Sequence, residues 1–186
     1  MLCQFTVKNF KSIRDEVTFD MQAAAISEHE DRIIIDKDEE KYLPVSAIYG
    51  PNGGGKSNVL AALHTLVAKV LRPLLATEDS EEKVLLQKKI IVEPFAFSES
   101  KDEPTEFELF FRTDLSEYRY ILHVKRDIVL YESLDRVKLE TGRRSALFIR
   151  DENGIILKGA FARLKVSNEL SKTLTLLSYL GIAYKE

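Results

Sequence analysis

Val45-Ser46-Ala47-Ile48-Tyr49-Gly50-Pro51-Asn52-Gly53-Gly54-Gly55-Lys56-Ser57-Asn58-Val59-Leu60 is the stretch on which the reading of this chain turns. Gly50 to Ser57 fits G-x-x-x-x-G-K-[ST] at every fixed position. Each residue type has a reason to be there. Glycines let the backbone curl so that successive N–H groups point inward at an anion. The loop opens a helix, and a helix N-terminus favours negative charge. Lys56 supplies a cation for β- and γ-phosphates, and the Ser57 hydroxyl is a magnesium ligand. The flanks agree with this. Val45–Tyr49 is short and apolar, as a buried parallel strand would be. From Ser57 to Leu75 the apolar period becomes helical, with Val59, Leu60, Leu63, Leu66, Val67, Val70 and Leu71 on one face. The motif therefore predicts a phosphate cradle of Gly50, Pro51, Asn52, Gly53, Gly54, Gly55, Lys56, Ser57 and Asn58, with ATP and Mg2+ as its ligands.

Outward from the motif the pattern is mostly β. Leu2 to Lys8 alternates apolar and polar residues, the period of a half-buried strand. Asn9-Phe10-Lys11-Ser12 reads as its turn, Val17–Asp20 as a second strand, and Arg32–Asp36 as strand-like before a charged turn. Beyond the charge run Glu78–Lys83, candidate strands are Ile90–Phe97, Glu106–Phe111, Arg119–Val124, Ile128–Leu134, Ala146–Ile149 and Ile155–Leu157. Asn153-Gly154 between the last two is a hairpin signal. Glu169–Leu180 reads as a helix. The expected fold class is α/β, a P-loop domain with an antiparallel β subdomain. Residues 1–186 form one lobe: strands, loop and helix over 1–76, a β-rich part over 90–157, and a helical segment over 158–186.

A phosphate loop alone does not give hydrolysis, which also needs a magnesium-organising Asp on a second parallel strand and a group that positions water. Two stretches mimic that Asp. Ile33–Asp36 precedes the loop and reads as a hairpin. Ala146–Glu152 runs apolar into Asp151-Glu152, but Asn153-Gly154 follows at once, so a surface hairpin is the expectation. Asp151-x-x-Gly154 also matches a short GTPase switch motif. No Asn-Lys-x-Asp guanine reader exists in the chain, which favours ATP over GTP. His29, His64 and His123 lack ligand spacing, which argues against zinc. Tyr118-Arg119-Tyr120 has the composition of a base-stacking patch, though aromatic residues in strands more often serve packing.

With 186 residues, 45% of them hydrophobic and 31% charged, the chain is long enough for one real core. A net charge of -3 gives no global basic excess that would advertise nucleic acid. Cys3 is the only cysteine, which rules out an internal disulfide and fits a reducing, cytoplasmic setting. No uninterrupted apolar run reaches the ~18 residues of a membrane span, so no membrane is expected.

Phe5–Arg14, Val17-Thr18-Phe19 and Ala47–Leu60 together resemble the start of an ABC-type ATPase of the SMC/RecF/OLD-like group. More narrowly they resemble bacterial and archaeal "AAA family ATPases", some of which belong to abortive-infection and other phage-defence systems. Asn58 after the Lys-Ser pair is typical of the group. The resemblance covers roughly the whole chain and is specific over the first 60 residues. It implies an ATP-binding lobe in which the turn at Lys11 and Ser12 lies beside the nucleotide, adding both residues as contacts. Lys56 is then the catalytic cation. Gly54 stands where relatives carry Ser or Ala. The group's signature motif, Walker B Asp-Glu and switch His have no counterpart here, which reads as a lobe truncated before Walker B. Gln87 is the nearest match to the group's magnesium-contacting glutamine but precedes the strand that it should follow, so it is not assigned. The resemblance further implies ATP-driven homodimerisation and a DNA or nuclease partner. A non-catalytic nucleotide-binding regulatory module and a P-loop kinase or GTPase are the alternatives.

Overall fold

The computed structural model describes residues 1–26, 29–75, 90–97, 102–167 and 170–184. Gln87 and the charge run Glu78–Lys83 lie outside them, as does Glu169. Seven antiparallel strands form one sheet in the order β2-β1-β5-β6-β7-β8-β9. They are β1 (Leu2–Lys8), β2 (Val17–Asp20), β5 (Thr105–Arg112), β6 (Ser116–Lys125), β7 (Ile128–Lys138), β8 (Arg144–Asp151) and β9 (Gly154–Leu157). β3 (Ile34–Ile35) and β4 (Lys41–Tyr42) make a separate small hairpin. β1 and β2 thus share a sheet with the strands beyond residue 105.

The alternation in β1 sets which face is buried. Phe5 and Val7 pair with Leu109 and Phe107, and the same face continues through Leu122, Tyr120, Leu134 and Phe148. Phe5, Val7, Phe107, Leu122 and Phe148 are essentially inaccessible to solvent. Burying each such side chain contributes about 1.5–3 kcal/mol. The opposite face is solvated and carries cross-strand ion pairs, Lys8–Glu106 at 3.3 Å and Arg119–Glu108.

Helix α1 (Lys56–Leu75) crosses the core face and buries Ala62, Leu66 and Lys69, one stripe at helical spacing. Leu60, Val67 and Leu71, expected on the buried face, are exposed, because the apolar stripe is wider than the surface that the described residues pack against it. Lys69 donates to the carbonyls of Asp127 and Thr173, at 2.9 and 3.4 Å, and burial pushes its ammonium pKa down. Helix α2 (Leu176–Ala183) packs on α1 and adds Leu176 and Leu180 to the core. Glu132 holds its N-terminus. This fully buried carboxylate accepts the amides of Leu176 and Leu177 at 2.6 and 2.9 Å and the Tyr120 hydroxyl at 2.9 Å. Arg150 lies 3.8 Å from it and donates to the carbonyls of Leu174 and Ser171.

Several elements depart from expectation. Val45–Tyr49 is not a strand: Val45 and Tyr49 are 77% and 89% exposed. A strand needs a neighbour to satisfy its amides, and none of the described strands lies beside it. Residues 90–97 are irregular and form no strand. They make isolated bonds to separate partners, Val92 N–H to the Arg126 carbonyl, Phe95 N–H to Asn9 Oδ1 and the Glu93 carbonyl accepting Lys11 N–H, and Pro94 has no amide to donate. α2 begins at Leu176, later than expected, because residues 171–174 form turns in which Ser171 Oγ bonds Thr173. By length and composition α1 would qualify as a membrane span, with mean hydropathy 1.3 over an 18-residue window of which 17% is buried. That property arises although no apolar run is uninterrupted. Its packing on β1 and α2 and its buried Lys69 make it a core helix of this fold.

Candidate nucleotide site

The turn after β1 brings the site together. Phe10 and Ile13 exchange both backbone bonds, 2.8 and 2.7 Å, closing a two-residue turn of Lys11 and Ser12. Asn9 and Lys11 hold left-handed backbone angles, φ 56° and 49°. Asn9 tolerates that conformation well, and it is buried and heavily bonded. Its amide donates to the carbonyls of Glu103 and Pro104, its side-chain oxygen accepts Phe95 N–H, and its carbonyl accepts the Thr105 hydroxyl. Phe10 and Ile13 are buried in the core. The turn is therefore tied to two segments, residues 93–95 and 103–105, and anchored in the core.

That fixed turn reaches the glycine loop. Asn58 Nδ2 donates to Ser12 Oγ at 2.6 Å. A Cβ on Gly55 would lie 3.3 Å from the same oxygen. Ser12 and Asn58 are thus in contact, although the sequence separates them by 46 residues. Lys11 sets its ammonium 5.5 Å from the Phe10 ring centroid. Asn9, whose role the sequence reading missed, organises the turn; the signal was an Asn directly after the last strand residue.

Within the loop, Gly53 and Gly55 sit at φ 81° and 82°, which glycine alone adopts freely. Gly54 does not have a left-handed φ, and a Cβ there would crowd the Pro51 carbonyl, at 3.1 Å, and touch the Pro51 ring at ordinary contact distance, 3.7 Å. Serine or alanine at 54 would need a shift of a few tenths of an ångström. Gly54 N–H donates to Pro51 O, and Asn58 N–H to Gly55 O. Lys56 Nζ donates to the carbonyls of Gly50 and Pro51, both at 2.8 Å. Pro51, Asn52, Gly53, Gly54 and Ser57 are exposed, so the loop presents its backbone and the start of α1 to solvent. Among the described residues no carboxylate is hydrogen-bonded to Lys56 or Ser57.

Asp151 is elsewhere. β8 and β9 pair as a hairpin, Asp151 opposite Gly154, and Asp151 Oδ1 accepts Asn153 N–H. α1 runs from the β1 turn to the β6–β7 turn, where Lys69 meets Asp127. Its rise puts Ser57 roughly 18 Å from Lys69. β8 stands four strands from β1, on the order of 19 Å away. Asp151 and Glu152 therefore form a hairpin end and no pair with Ser57.

A family model described as "AAA domain, putative AbiEii toxin, Type IV TA system" matches residues 45–165. The chain belongs to this AAA-domain family. No curated protein matches it. The matched span starts at Val45, contains the whole loop and α1, and runs through β9. This AAA domain is thus of P-loop ATPase type with an α/β fold, and nucleotide, usually with Mg2+, is the ligand that its family implies. The AAA domain's own residues fit that ligand. Two left-handed glycines shape the loop, one cation is held by exchangeable carbonyl contacts, and a hydroxyl sits in the first turn of a twenty-residue helix.

Proposed function

We propose that the chain is the ATP-binding lobe of an ABC-type ATPase of the SMC/RecF/OLD-like group, working in the cytoplasm on nucleic acid or in phage defence. The observation that supports this most is the Ser12–Asn58 contact, which sets a β1 turn against the glycine loop. Bound Mg2+–ATP supplies the phosphoryl chemistry. The loop amides would donate to its phosphate oxygens, Lys56 would give up its two carbonyl acceptors to reach them, and the Ser57 hydroxyl would be a ligand of the magnesium. Ser12 lines the edge of the cradle, and Lys11 reaches it only by leaving Phe10.

The water-positioning and magnesium-organising groups come, in this reading, from a further half of the protein. Exposed apolar surface supports it: Val45 and Tyr49, with Leu60, Val67 and Leu71 of α1 at 58%, 39% and 45% exposure. Such a surface suits strands added beside Val45–Tyr49. ATP would then drive head-to-tail dimerisation, with a DNA or nuclease partner. The toxin named in the family description agrees with a defence role. Calorimetry with a magnesium–ATP analogue tests the core of the proposal. Lys56→Ala should lose roughly 1.5–3 kcal/mol of binding, or about 10- to 150-fold. Equal affinity in mutant and parent would sink it.

A further inference from the structure

Tyr118-Arg119-Tyr120 is divided by the pleat of β6. Tyr120 is buried and bonds Glu132, which is a packing role. Arg119 points to the solvated face and pairs with Glu108. Tyr118 returns to the first face but lies six residues before Val124, about 20 Å from the end of the sheet that holds the nucleotide loop. There it lines a cleft of about 1070 Å³. Phe111 backs its ring, stacked at 5.2 Å and 15°.

The cleft is built with unspent positive charge. Arg136 stands directly opposite Tyr118 across β6 and β7, and Lys138 opposite Ser116, so both share Tyr118's face. Arg136 Nε is buried and has no hydrogen-bond partner. That Nε lies out of a cleft ligand's reach, so the terminal guanidinium N–H groups are the donors that Arg136 offers to an anion there. Lys37 enters from the β3–β4 turn and gives one of its donors to the Asp114 carbonyl, at 3.0 Å. Arg112, at the rim, is already matched by Asp36, Asp38 and Glu117. Among the described residues that line the cleft with Lys37, Arg136 and Lys138, the acidic ones are Asp114 and Glu140.

We propose that this cleft binds a single strand of nucleic acid, with a base on the Tyr118 ring and the adjoining phosphate on Arg136 and Lys138. A rigidly backed aromatic ring beside cations is the arrangement that single strands use, stacking for the base and charge for the backbone. An acidic peptide would use the cations and leave the ring idle. The proposal rests on the nucleic-acid part of the function proposed above and is independent of the ATP part.

The test is fluorescence anisotropy of a labelled short oligodeoxythymidylate on the full chain, without nucleotide, over a salt series. Tyr118→Leu should weaken binding roughly tenfold with little change in salt slope. Lys138→Ala, an exposed change that cannot disturb the core, should lower the slope of log affinity on log salt by about 0.7. Arg119→Gln, on the opposite face, should bind as the parent does. Lys56→Ala should keep strand binding while losing the ATP analogue. Parent-like strand binding in both Tyr118→Leu and Lys138→Ala would overturn the cleft while leaving a nucleic-acid function elsewhere on the protein. No binding by the parent would overturn the cleft and the nucleic-acid reading together. Equal competition by polyglutamate would show an acidic-peptide site and overturn the proposal too.

Discussion

Glu132→Ala should unfold the α2 end of the molecule first, and its cost can be worked from the contacts. The carboxylate is wholly desolvated and accepts three hydrogen bonds of 2.6, 2.9 and 2.9 Å, with Arg150 at 3.8 Å. Burial pushes its pKa up; the two amides, the Tyr120 hydroxyl and Arg150 oppose that. Alanine leaves the Leu176 and Leu177 amides at a helix start with no acceptor, since the Thr175 side chain caps only Ser178. It also leaves the Arg150 guanidinium, whose pKa burial already lowers, without its counter-charge. Breaking one side of a buried charge pair costs about 3–5 kcal/mol. Glu132→Gln keeps one acceptor oxygen and should cost about half of that. Tyr120→Phe removes a single hydrogen bond and should cost about 1 kcal/mol. Urea unfolding followed by circular dichroism reads all three. With a slope near 2 kcal/mol/M, the alanine variant's midpoint should fall by about 2 M. Amide exchange at Leu176 and Leu177 should quicken in the same order. A Glu132→Ala loss under about 1 kcal/mol, or equal losses for alanine and glutamine, would refute the claim that the charge organises this helix end.

Three further outcomes are expected. Gly55→Ala should impair ATP-analogue binding in calorimetry, because φ 82° strains any side chain and the new Cβ crowds Ser12; Gly54→Ala should stay within about threefold of the parent, a small shift at Pro51 costing well under 1 kcal/mol. Arg112→Met should free the β3–β4 hairpin and cost about 2 kcal/mol in urea unfolding, since it removes a side chain that bonds three carboxylates. Arg112 also holds the Asp38 pKa below its ordinary 3.8, so the parent's ion-pair stability is complete above that value and drains away as pH falls through the lowered one; the variant should lack this acid-side loss. Finally, the chain alone should bind ATP but turn it over very slowly in a phosphate-release assay, and multiple turnover that needs Lys56 and vanishes in Asp151→Asn would show that it carries a complete site.

The sequence by itself determined whatever depends on neighbours along the chain. The Gly50–Ser57 loop and the helix behind it, the alternation of β1, and the Asn153-Gly154 turn that makes Asp151 a hairpin end were all legible there. Each rests on backbone angles and a periodicity that a few consecutive residues dictate. Only the tertiary structure decided what depends on partners far off in the chain. Val45–Tyr49 has a strand's composition yet stands exposed, because hydrogen-bonded pairing belongs to two strands and not to one. Ser12 meets Asn58 only because Asn9 ties its turn to residues near 95 and 104. Tyr118 and Tyr120 are near-identical in sequence context and equivalent in pleat phase. One is buried on Glu132 and the other lines an open cleft, because the described helices cover only part of the sheet's face, and where that cover stops is set by packing between elements far apart in the chain.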